Sequence, residues 1–286
     1  MFSYRHAFHA GNHADVLKHL VLVHLLRHGL QKDKAYWFID THAGAGAYDL
    51  RGDYAKKSGE AKSGIGALWD RKDLPAGLAQ YTEEVRKFNA GMGGGEAAPR
   101  YYPGSPRIAM QMLRAQDRLR FFELHSTDSR ELANSIEGEA PRVIAKAEDG
   151  YDGMIAMVPP PSRRGLVLID PSYEDKNDYP RVIGALKGGV ERFATGTFMV
   201  WYPKVQRREA QQLPDRLKRV QAKDWLHASL TIKSRGEDGL GLNGSGIFII
   251  NPPWTLPAML AEVLPWLVKV LGQDEEADFS LENTLR

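Results

Sequence analysis

Four consecutive residues of this chain, Asp170-Pro171-Ser172-Tyr173, combine a carboxylate, a proline, a small residue and an aromatic ring. They follow the apolar run Gly165–Ile169, which is typical of a buried strand. A carboxylate and a neighbouring backbone carbonyl can together accept the two N–H groups of an exocyclic amine on a nucleobase. An aromatic ring beside them can stack on a base that has been flipped out of its helix. The segment therefore predicts a site for chemistry on an exocyclic amine.

These residue types resemble the motif of amino-directed methyltransferases, in which Asp, Asn or Ser precedes Pro-Pro and an aromatic residue. An adenine N6 is a poor nucleophile because its lone pair is delocalised into the ring. Hydrogen bonds to the Asp170 carboxylate and the Pro171 carbonyl favour a more tetrahedral nitrogen, and Tyr173 would stack on the base. Positioning against a sulfonium methyl group then supplies much of the rate. We expect Asp170, Pro171 and Tyr173 to form the catalytic site.

A second segment, Asn251-Pro252-Pro253-Trp254, matches that motif more literally and also follows an apolar strand. It lies near the end of the chain, where a methyltransferase sheet has its last strands. Asp170 instead follows the fourth predicted strand, where the catalytic motif of a sheet that begins near Ala35 belongs. We therefore interpret Asn251–Trp254 as a structural turn.

Two glycines, Gly44 and Gly46, follow the apolar run 35–40. Ligands of open parallel sheets bind beyond the carboxyl ends of the strands, and glycine lets the backbone approach a nucleotide-like ligand closely. The third glycine of the dinucleotide fingerprint is absent, so this turn alone is weak evidence for a cofactor site.

Acidic residues at the ends of the next two predicted strands strengthen that interpretation. Glu123 could accept both hydroxyls of a ribose, and Asp149, followed by Gly150, could accept from an adenine amino group. Each acid alone is better interpreted as a solvated loop residue. Their recurrence at successive strand ends indicates a nucleotide-type cofactor.

Strand and helix patterns alternate along most of the chain, which predicts an α/β fold. We expect a single domain over residues 1–286, with a mainly parallel, doubly wound sheet, helices on both faces and an inserted helical subdomain at residues 48–104. The predicted strands are 35–40, 119–124, 142–147, 165–170, 196–202, 227–233 and 246–251. The predicted helices are 12–30, 74–89, 105–115, 129–137, 178–193, 206–220 and 257–271.

The composition excludes several classes of protein. Of the 286 residues, 43% are hydrophobic and 26% are charged, which is the balance of a globular protein. No apolar run is long enough to span a bilayer and no secretory leader is present, so a cytoplasmic protein is expected. The absence of cysteine excludes disulfides, thiolate zinc sites, iron–sulfur clusters and a cysteine nucleophile.

The formal net charge of +2 hides an uneven distribution. Residues 274–286 contain five acids and one base, and we expect this acidic tail to be a mobile end. Residues 204–235 contain nine basic side chains and three acidic ones. This basic stretch is either a solvated surface or a surface that contacts phosphates.

Six histidines lie within the first 28 residues, but their spacing does not indicate a metal site, and none is expected. Tyr4, Arg5 and His6 combine aromatic and polar groups in the way that single-stranded RNA sites do. Lys18 and His19 could reach the carboxylate of a cofactor if their helix packs beside the Gly44 turn.

Taken together, these motifs resemble those of a known family, the RlmJ-type bacterial 23S ribosomal RNA adenine-N6 methyltransferases. The resemblance extends from Tyr4 to about Leu271. It implies a Rossmann-like class I fold that transfers methyl from S-adenosylmethionine to one adenine in domain V of 23S rRNA, in a cytoplasmic enzyme that is a monomer without an obligate protein partner. The motifs that carry it are Tyr-Arg-His-Ala-Phe-His-Ala-Gly-Asn-His-Ala-Asp-Val-Leu-Lys-His (4–19), Asp-Thr-His-Ala-Gly-Ala-Gly (40–46), Pro-Gly-Ser-Pro (103–106), Ser-Arg-Arg-Gly (162–165), Asp-Pro-Ser-Tyr-Glu (170–174) and Asn-Pro-Pro-Trp (251–254).

The resemblance also implies roles for individual residues. Asp170 is the implied catalytic residue, Tyr4 is the implied contact to the target adenine, and residues 48–104 are an implied RNA-gripping subdomain. Ser172 replaces the second proline of the family motif; we expect activity to survive, with a less rigid loop. The implied cofactor contacts are Lys18, His19, His42, Ser105, Glu123, Asp149 and Gly150.

Three other functions are compatible with parts of this pattern. A DNA adenine-N6 methyltransferase would share the Asp-Pro-x-Tyr motif, which does not report the sugar. A non-catalytic RNA-binding protein on the same fold is a second alternative, in which Ser172 in place of the second proline would be a first sign that the catalytic motif has decayed. A metal-dependent hydrolase is a more distant third.

Overall fold

A computed structural model of the chain describes residues 5–234, 236 and 241–285. Tyr4 and Arg235, the last residue of the basic stretch, lie outside the described residues. The strands are β1 (Trp37–Asp40), β2 (Ala47–Asp49), β3 (Tyr101–Pro103), β4 (Arg118–Phe122), β5 (Val143–Lys146), β6 (Gly165–Ile169), β7 (Thr197–Lys204), β8 (Trp225–Thr231), β9 (Gly244–Ile250) and β10 (Asp278–Asn283). The helices are α1 (His13–Gly29), α2 (Asp53–Ser58), α3 (Glu60–Ser63), α4 (Ile65–Leu68), α5 (Ala76–Gly91), α6 (Ser105–Met112), α7 (Ser126–Ser135), α8 (Gly150–Met157), α9 (Asp178–Arg192), α10 (Arg208–Lys218) and α11 (Leu256–Leu271), and a 3-10 turn spans His6–Phe8.

Eight strands form one central sheet in the order β10-β8-β9-β7-β6-β1-β4-β5. The pairs between β5, β4, β1, β6 and β7 are all parallel. In contrast, β9 runs antiparallel to both β7 and β8, and β10 runs antiparallel to β8. The prediction of a mainly parallel α/β sheet is confirmed.

Side chains of the central strands alternate between two apolar layers. Phe38 and Leu166, which are register partners on β1 and β6, contribute to the layer that contains α1, α6 and α11. Ile39 and Val167 contribute to the opposite layer with α8, α9 and α10. Because both faces are covered, these strands are apolar throughout rather than alternating in sequence.

The order of the strands creates a crevice for a ligand. From β1 the chain continues outward through β4 and β5, and it then returns to the other side of β1 with β6 and β7. The reversal lies between β1 and β6, and ligands of such sheets bind outside the carboxyl ends of the strands at that point. We call this side of the sheet the carboxyl edge and the opposite side the amino edge.

Helix α1 is buried along almost its whole length, including charged residues in its first two turns. Asn12 caps it by accepting hydrogen bonds from the backbone N–H groups of Ala14 and Asp15 at 2.9 and 3.0 Å. Asp15 and Lys18 are 1% and 4% exposed. Charged groups buried to this extent are paired, and their partners lie at the carboxyl edge.

The segment between β1 and α6 contains four helices and a small second sheet of β2 and β3, which pair antiparallel. Its position corresponds to the helical insertion expected at 48–104, although the two strands were not predicted. Tyr81 on α5 and Tyr102 on β3 are completely buried, so this segment shares the core that contains α1.

The acidic end of the chain differs from the mobile tail expected at 274–286. Residues Asp278–Asn283 form β10, which pairs with β8. Glu282 on this strand accepts a hydrogen bond from Lys218 of α10 at 2.9 Å. The tail thus adds a strand to the sheet through its pairing with β8, and Glu282 meets a basic side chain of a neighbouring helix.

Among the described residues, no helix combines the length and apolar character needed to cross a membrane. In the same part of the chain, no group of three or more His, Asp or Glu side chains is arranged to hold a metal ion.

Candidate functional site

A cavity of about 740 Å³ opens at the carboxyl edge of the sheet. The turns after β1, β4, β5 and β6 line it, together with the first turns of α1. The structure therefore brings together residues as far apart in sequence as Lys18 and Tyr173. Its lining includes Lys18, His19, His42, Gly44, Ser105, Glu123, Asp149, Gly150, Asp170, Pro171 and Tyr173.

The catalytic candidate Asp170 follows β6 and is bound to a lysine of α1. Lys18 Nζ lies 2.7 Å from Asp170 Oδ2 and 2.9 Å from Asp15 Oδ1. The other oxygen of Asp170, Oδ1, has no hydrogen-bond partner among the described residues, and the side chain is 12% exposed. One carboxylate oxygen is thus fixed by Lys18, and the second is left for a donor in the cavity.

Burial and charge pairing act in opposite directions on this cluster. Burial raises the pKa of Asp170, and Lys18 offsets only part of that rise. Burial also opposes ionisation of Asp15 and Lys18, but attraction to opposite charges outweighs it: first His6 and then Lys18 act on Asp15, and first Asp15 and then Asp170 act on Lys18. As a result the pKa of Lys18 is held well above its usual range and the pKa of Asp15 well below. His6 contributes, with Nε2 at 2.9 Å from Asp15 Oδ2.

Tyr173 is placed differently from the prediction that its ring stacks on a base. The ring is only 3% exposed, packs against Tyr179 with 4.8 Å between centroids, and donates its hydroxyl to the Trp201 carbonyl at 2.7 Å. Its backbone φ is +56°, a conformation that costs free energy in a non-glycine residue and persists only where surrounding contacts hold it. In this structure Tyr173 fixes the loop after β6 rather than presenting a free face to the cavity.

Two residues that sequence reasoning missed complete this part of the site. Trp201, near the end of β7, is half-buried in the cavity wall, with Lys18 Nζ 5.7 Å from its ring. Arg207, within the basic stretch, donates to the carbonyls of Tyr173 and Glu174 at 2.8 and 3.1 Å. Neither residue belongs to a recognisable motif, so only the fold reveals them.

The turn after β1 is held by Glu123, the acid that was predicted at the carboxyl end of the next main strand and directly follows β4. The Gly44 N–H donates to Glu123 Oε2 at 2.8 Å, and the His125 N–H donates to Oε1 at 2.7 Å. Gly44 has a φ of +59°, and a Cβ there would lie 2.5 Å from the Tyr48 hydroxyl, so both the backbone conformation and the available space favour glycine. Burial raises the pKa of Glu123 despite these two bonds.

The pair Asp149–Gly150 opens α8. Asp149 Oδ1 caps the helix by accepting from the Tyr151 N–H at 3.0 Å, and Oδ2 accepts from Arg181 at 2.6 Å. Both oxygens thus already have protein partners. A Cβ on Gly150 would lie 1.8 Å from the Thr41 carbonyl oxygen, so this glycine allows α8 to approach β1 closely.

Ser105 and His42 both meet a carboxylate that the sequence analysis did not assign to the site. Ser105 Oγ donates to Asp40 Oδ2 at 2.6 Å, and the His42 N–H donates to Asp40 Oδ1 at 3.2 Å. Burial raises the pKa of Asp40 to about 7 and lowers that of His42 to about 3. The available signal was the position of Asp40, at the carboxyl end of the first apolar strand.

Of the N-terminal residues predicted to contact RNA, the structure describes Arg5 and His6. His6 lines the cavity, and the Arg5 guanidinium sits 5.7 Å from the ring of Tyr54 on α2. His9 Nδ1 lies 3.0 Å from Glu60 Oε2 on α3. The N-terminal segment thus joins the inserted segment at the entrance to the site.

The second motif, Asn251–Trp254, lies at the other edge of the sheet. Because β9 is antiparallel to β7, the end of β9 meets the beginning of β7. Asn251 donates to the carbonyls of Ala194 and Gly196 at 2.8 and 2.7 Å, and Trp254 is 79% exposed. The interpretation of this motif as a structural turn agrees with these contacts.

Comparisons with known proteins agree with this geometry. The family model described as "Ribosomal RNA large subunit methyltransferase D, RlmJ" matches residues 33–282. "Ribosomal RNA large subunit methyltransferase J" of Haemophilus influenzae is 43% identical over 282 residues, covering 99% of this chain and 98% of that protein. The protein of the same name from Escherichia coli is 43% identical over 267 residues, covering 93% of each.

A solved structure shares the complete fold. The crystal structure of a protein from Legionella pneumophila has a TM-score of 0.86 and 35% identity, covering 96% of this chain and 98% of that one. The Rossmann-like methyltransferase fold expected from the sequence is confirmed, and so is the resemblance noted there. The chain belongs to the RlmJ family of ribosomal RNA large subunit methyltransferases.

Proposed function

We propose that this methyltransferase transfers a methyl group from S-adenosylmethionine to the N6 of a specific adenine in domain V of 23S rRNA. The observation that carries the proposal is the pairing of Asp170 with Lys18 in the cavity at the carboxyl edge. A carboxylate with one anchored oxygen and one available oxygen, followed by the Pro171 carbonyl, matches the two N–H groups of an exocyclic amine.

The residues around the cavity fit the proposed cofactor. Glu123 keeps lone pairs for ribose hydroxyls after accepting two backbone N–H groups. Gly44 leaves no Cβ at the turn, and the buried His19 Nε2 in the cavity wall has no partner among the described residues. Lys18 and His19 suit the carboxylate end of the molecule. When bound, S-adenosylmethionine supplies an electrophilic methyl group on a sulfonium.

The chain's own residues position the amine and receive a proton. Asp170 and Pro171 accept the N–H groups and hold the nitrogen in one orientation, which lowers the entropy cost of reaction. Lys18 keeps the Asp170 carboxylate in place through its bond to Oδ2. Methylation of a neutral amine releases one proton, and the raised pKa of Asp170 favours Oδ1 as its first acceptor.

Three surfaces around the cavity suit RNA. The N-terminal segment carries Arg5 and His6, the inserted segment at 48–104 flanks it, and the basic stretch reaches the cavity through Arg207. Clustered basic groups bind phosphates by releasing counterions. A large rRNA substrate would contact all three surfaces. The proposed function also includes the expected cytoplasmic location and monomeric state. Tyr4 stays a predicted contact to the adenine.

Methyl transfer from labelled S-adenosylmethionine tests this function. We expect transfer to 23S rRNA that lacks its native methylation, at an adenine N6 identified by mass spectrometry, and a loss of about 10²–10³-fold in Asp170→Ala. Duplex DNA containing adenine serves as the competing substrate. Preferred methylation of DNA would replace the proposed substrate, and undiminished transfer by Asp170→Ala would refute the proposed mechanism. Calorimetry without detectable binding of S-adenosylmethionine would favour a non-catalytic RNA-binding protein.

A further inference from the structure

Three buried groups form a chain of hydrogen bonds beneath the cavity. His19 Nδ1 on α1 lies 2.7 Å from the Tyr102 hydroxyl on β3, which lies 2.9 Å from the Tyr81 hydroxyl on α5. His19 is 1% exposed and both tyrosines are fully enclosed. Both tyrosines lie in the inserted segment, outside the motifs quoted above.

The number of protons fixes the direction of this chain. Among the described residues the Tyr81 hydroxyl has one hydrogen-bond partner, the oxygen of Tyr102. Leaving the proton of a buried hydroxyl without an acceptor is unfavourable, so Tyr81 donates to Tyr102. The single proton of Tyr102 is then directed to His19 Nδ1, which must accept it.

This direction determines the tautomer of His19. Burial lowers the pKa of His19 to about 3, so the ring carries one proton at neutral pH. Since Nδ1 accepts from Tyr102, that proton is on Nε2. The opposite tautomer would turn Tyr102 toward Tyr81 and leave the Tyr81 proton without an acceptor.

His19 Nε2 is buried, has no partner among the described residues, and belongs to a ring that lines the cavity. We propose that Tyr81 and Tyr102 are positioning residues that hold His19 with Nε2–H directed at the carboxylate of the cofactor's amino-acid portion. The proposal rests on S-adenosylmethionine being the cofactor. It makes the inserted segment a structural support of the cofactor site as well as a neighbour of the RNA entrance.

Nitrogen NMR of the ¹⁵N-histidine-labelled full chain tests the tautomer without any ligand. We expect His19 to show an unprotonated, hydrogen-bonded Nδ1 and a protonated Nε2 throughout pH 5–9. In Tyr102→Phe the Nδ1 resonance should move toward that of an unbonded nitrogen, and in Tyr81→Phe it should move less in the same direction. A protonated Nδ1 in the wild-type protein would overturn the proposal.

Calorimetry with two ligands separates positioning from general damage. We expect Tyr102→Phe, which removes both hydrogen bonds including the one to His19, to weaken S-adenosylmethionine binding about tenfold. Tyr81→Phe removes only the bond to Tyr102, so it should weaken binding about two- to threefold. Binding of 5′-methylthioadenosine, which has no carboxylate, should stay unchanged in both. Equal weakening for both ligands would show a merely structural role.

Tyr202→Phe is the matched control, because its hydroxyl also bonds a buried histidine, His227 Nε2, at 2.6 Å, and neither residue lines the cavity. We expect it to leave both affinities unchanged. If the wild-type protein binds neither ligand, the proposed function fails, whereas the NMR result still decides the tautomer by itself.

Discussion

The two edges of the central sheet carry turns that match the same motif, but only one of these turns lines the cavity. At the carboxyl edge, Asp170 reaches the cavity and is held by Lys18, which comes from another element. At the amino edge, Asn251 is bonded to the carbonyls of Ala194 and Gly196. The motif is shared, so the direction of the preceding strand, parallel for β6 and antiparallel for β9, decides which turn can act on a ligand.

Two buried carboxylates, one at each edge, illustrate a second difference. Asp40, at the carboxyl edge, keeps a raised pKa although Ser105 donates to it. Asp117, at the amino edge, is equally enclosed but accepts from the backbone N–H groups of Tyr36 and Arg114, each at 2.8 Å. Ionisable side chains whose charged form is unfavourable in the folded state cluster at functional sites. Carboxylates that accept enough hydrogen bonds to favour the charged form support the fold instead.

The largest effect is expected from exchanging the first side chains of the two motifs, the acceptor Asp170 and the donor Asn251. Asp170→Asn keeps the size of the side chain but removes the charge that Lys18 faces, so the rate of methyl transfer should fall about 10²–10³-fold. Asn251→Asp replaces a donor by a carboxylate that faces two carbonyls, so it should lower the free energy of unfolding by about 1–3 kcal/mol. Steady-state kinetics and urea denaturation of both variants measure these outcomes.

This pair of variants can break the comparison outright. Asn251→Asp should keep the wild-type rate per folded molecule, because its turn is remote from the cavity. A rate loss there similar to that of Asp170→Asn would mean that the amino-edge turn takes part in the reaction and that strand direction is not the deciding factor.

Much of the carboxyl edge was predictable because local sequence determines it. Asp170, Glu123 and Gly44 each end or follow an apolar run, and the periodicity of those runs placed them at strand ends. The strand β10 was missed because pairing with β8 stabilises it, whereas its acidic composition favours a solvated end. Lys18 was predicted only as a cofactor contact, since its bond to Asp170 joins residues 152 positions apart.

Tyr173 marks the limit of reasoning from motifs. Its type and spacing suggested a stacking surface, but the loop adopts a positive φ and turns the ring into the apolar layer with Tyr179. Contacts from Trp201 and Arg207 stabilise that conformation, and both come from elements far along the chain. Such contacts depend on tertiary packing, which a local pattern does not contain.

A smaller effect is expected from removing the tether on the catalytic loop. Arg207→Ala deletes the donor to the Tyr173 and Glu174 carbonyls, so kcat should fall about fivefold, the equivalent of one hydrogen bond. Arg208→Ala is the matched control, because Arg208 is an exposed neighbour with the same charge. It should alter the KM for rRNA without changing kcat.

Equal effects of the two arginine variants on kcat would assign Arg207 to phosphate binding instead. The catalytic loop would then be held by the Lys18 bond to Asp170 and by the Tyr173 hydroxyl. At the amino edge, Asn251 is held by its own side chain, by its N–H to the Asp224 carbonyl at 2.9 Å and by the Thr197 hydroxyl, which donates to its carbonyl at 3.2 Å.

A further difference concerns how stability depends on pH at each edge. The pKa of Asp40 rises from 3.8 to about 7 on folding because of burial, so the folded state holds an extra proton between those values. Its contribution to the free energy of unfolding therefore declines as pH rises through that interval. Burial also opposes ionisation of Asp117, but hydrogen bonds from Arg114 and Tyr36 outweigh it and lower its pKa, so its contribution is lost as pH falls.

Urea unfolding of Asp40→Asn and Asp117→Asn between pH 4 and pH 8 compares the two edges directly. Relative to the wild-type protein, Asp40→Asn should gain stability as pH rises from 4 to 7, because the ionisation it removes is unfavourable in the folded state. Asp117→Asn should be most destabilised at neutral pH and approach the wild-type value in acid. The stabilities of both variants, relative to the wild-type protein, could instead change with pH in the same direction. Ionised Asp40 would then not be unfavourable in the folded state, and the electrostatic contrast between the two edges would fail although the geometric contrast would remain.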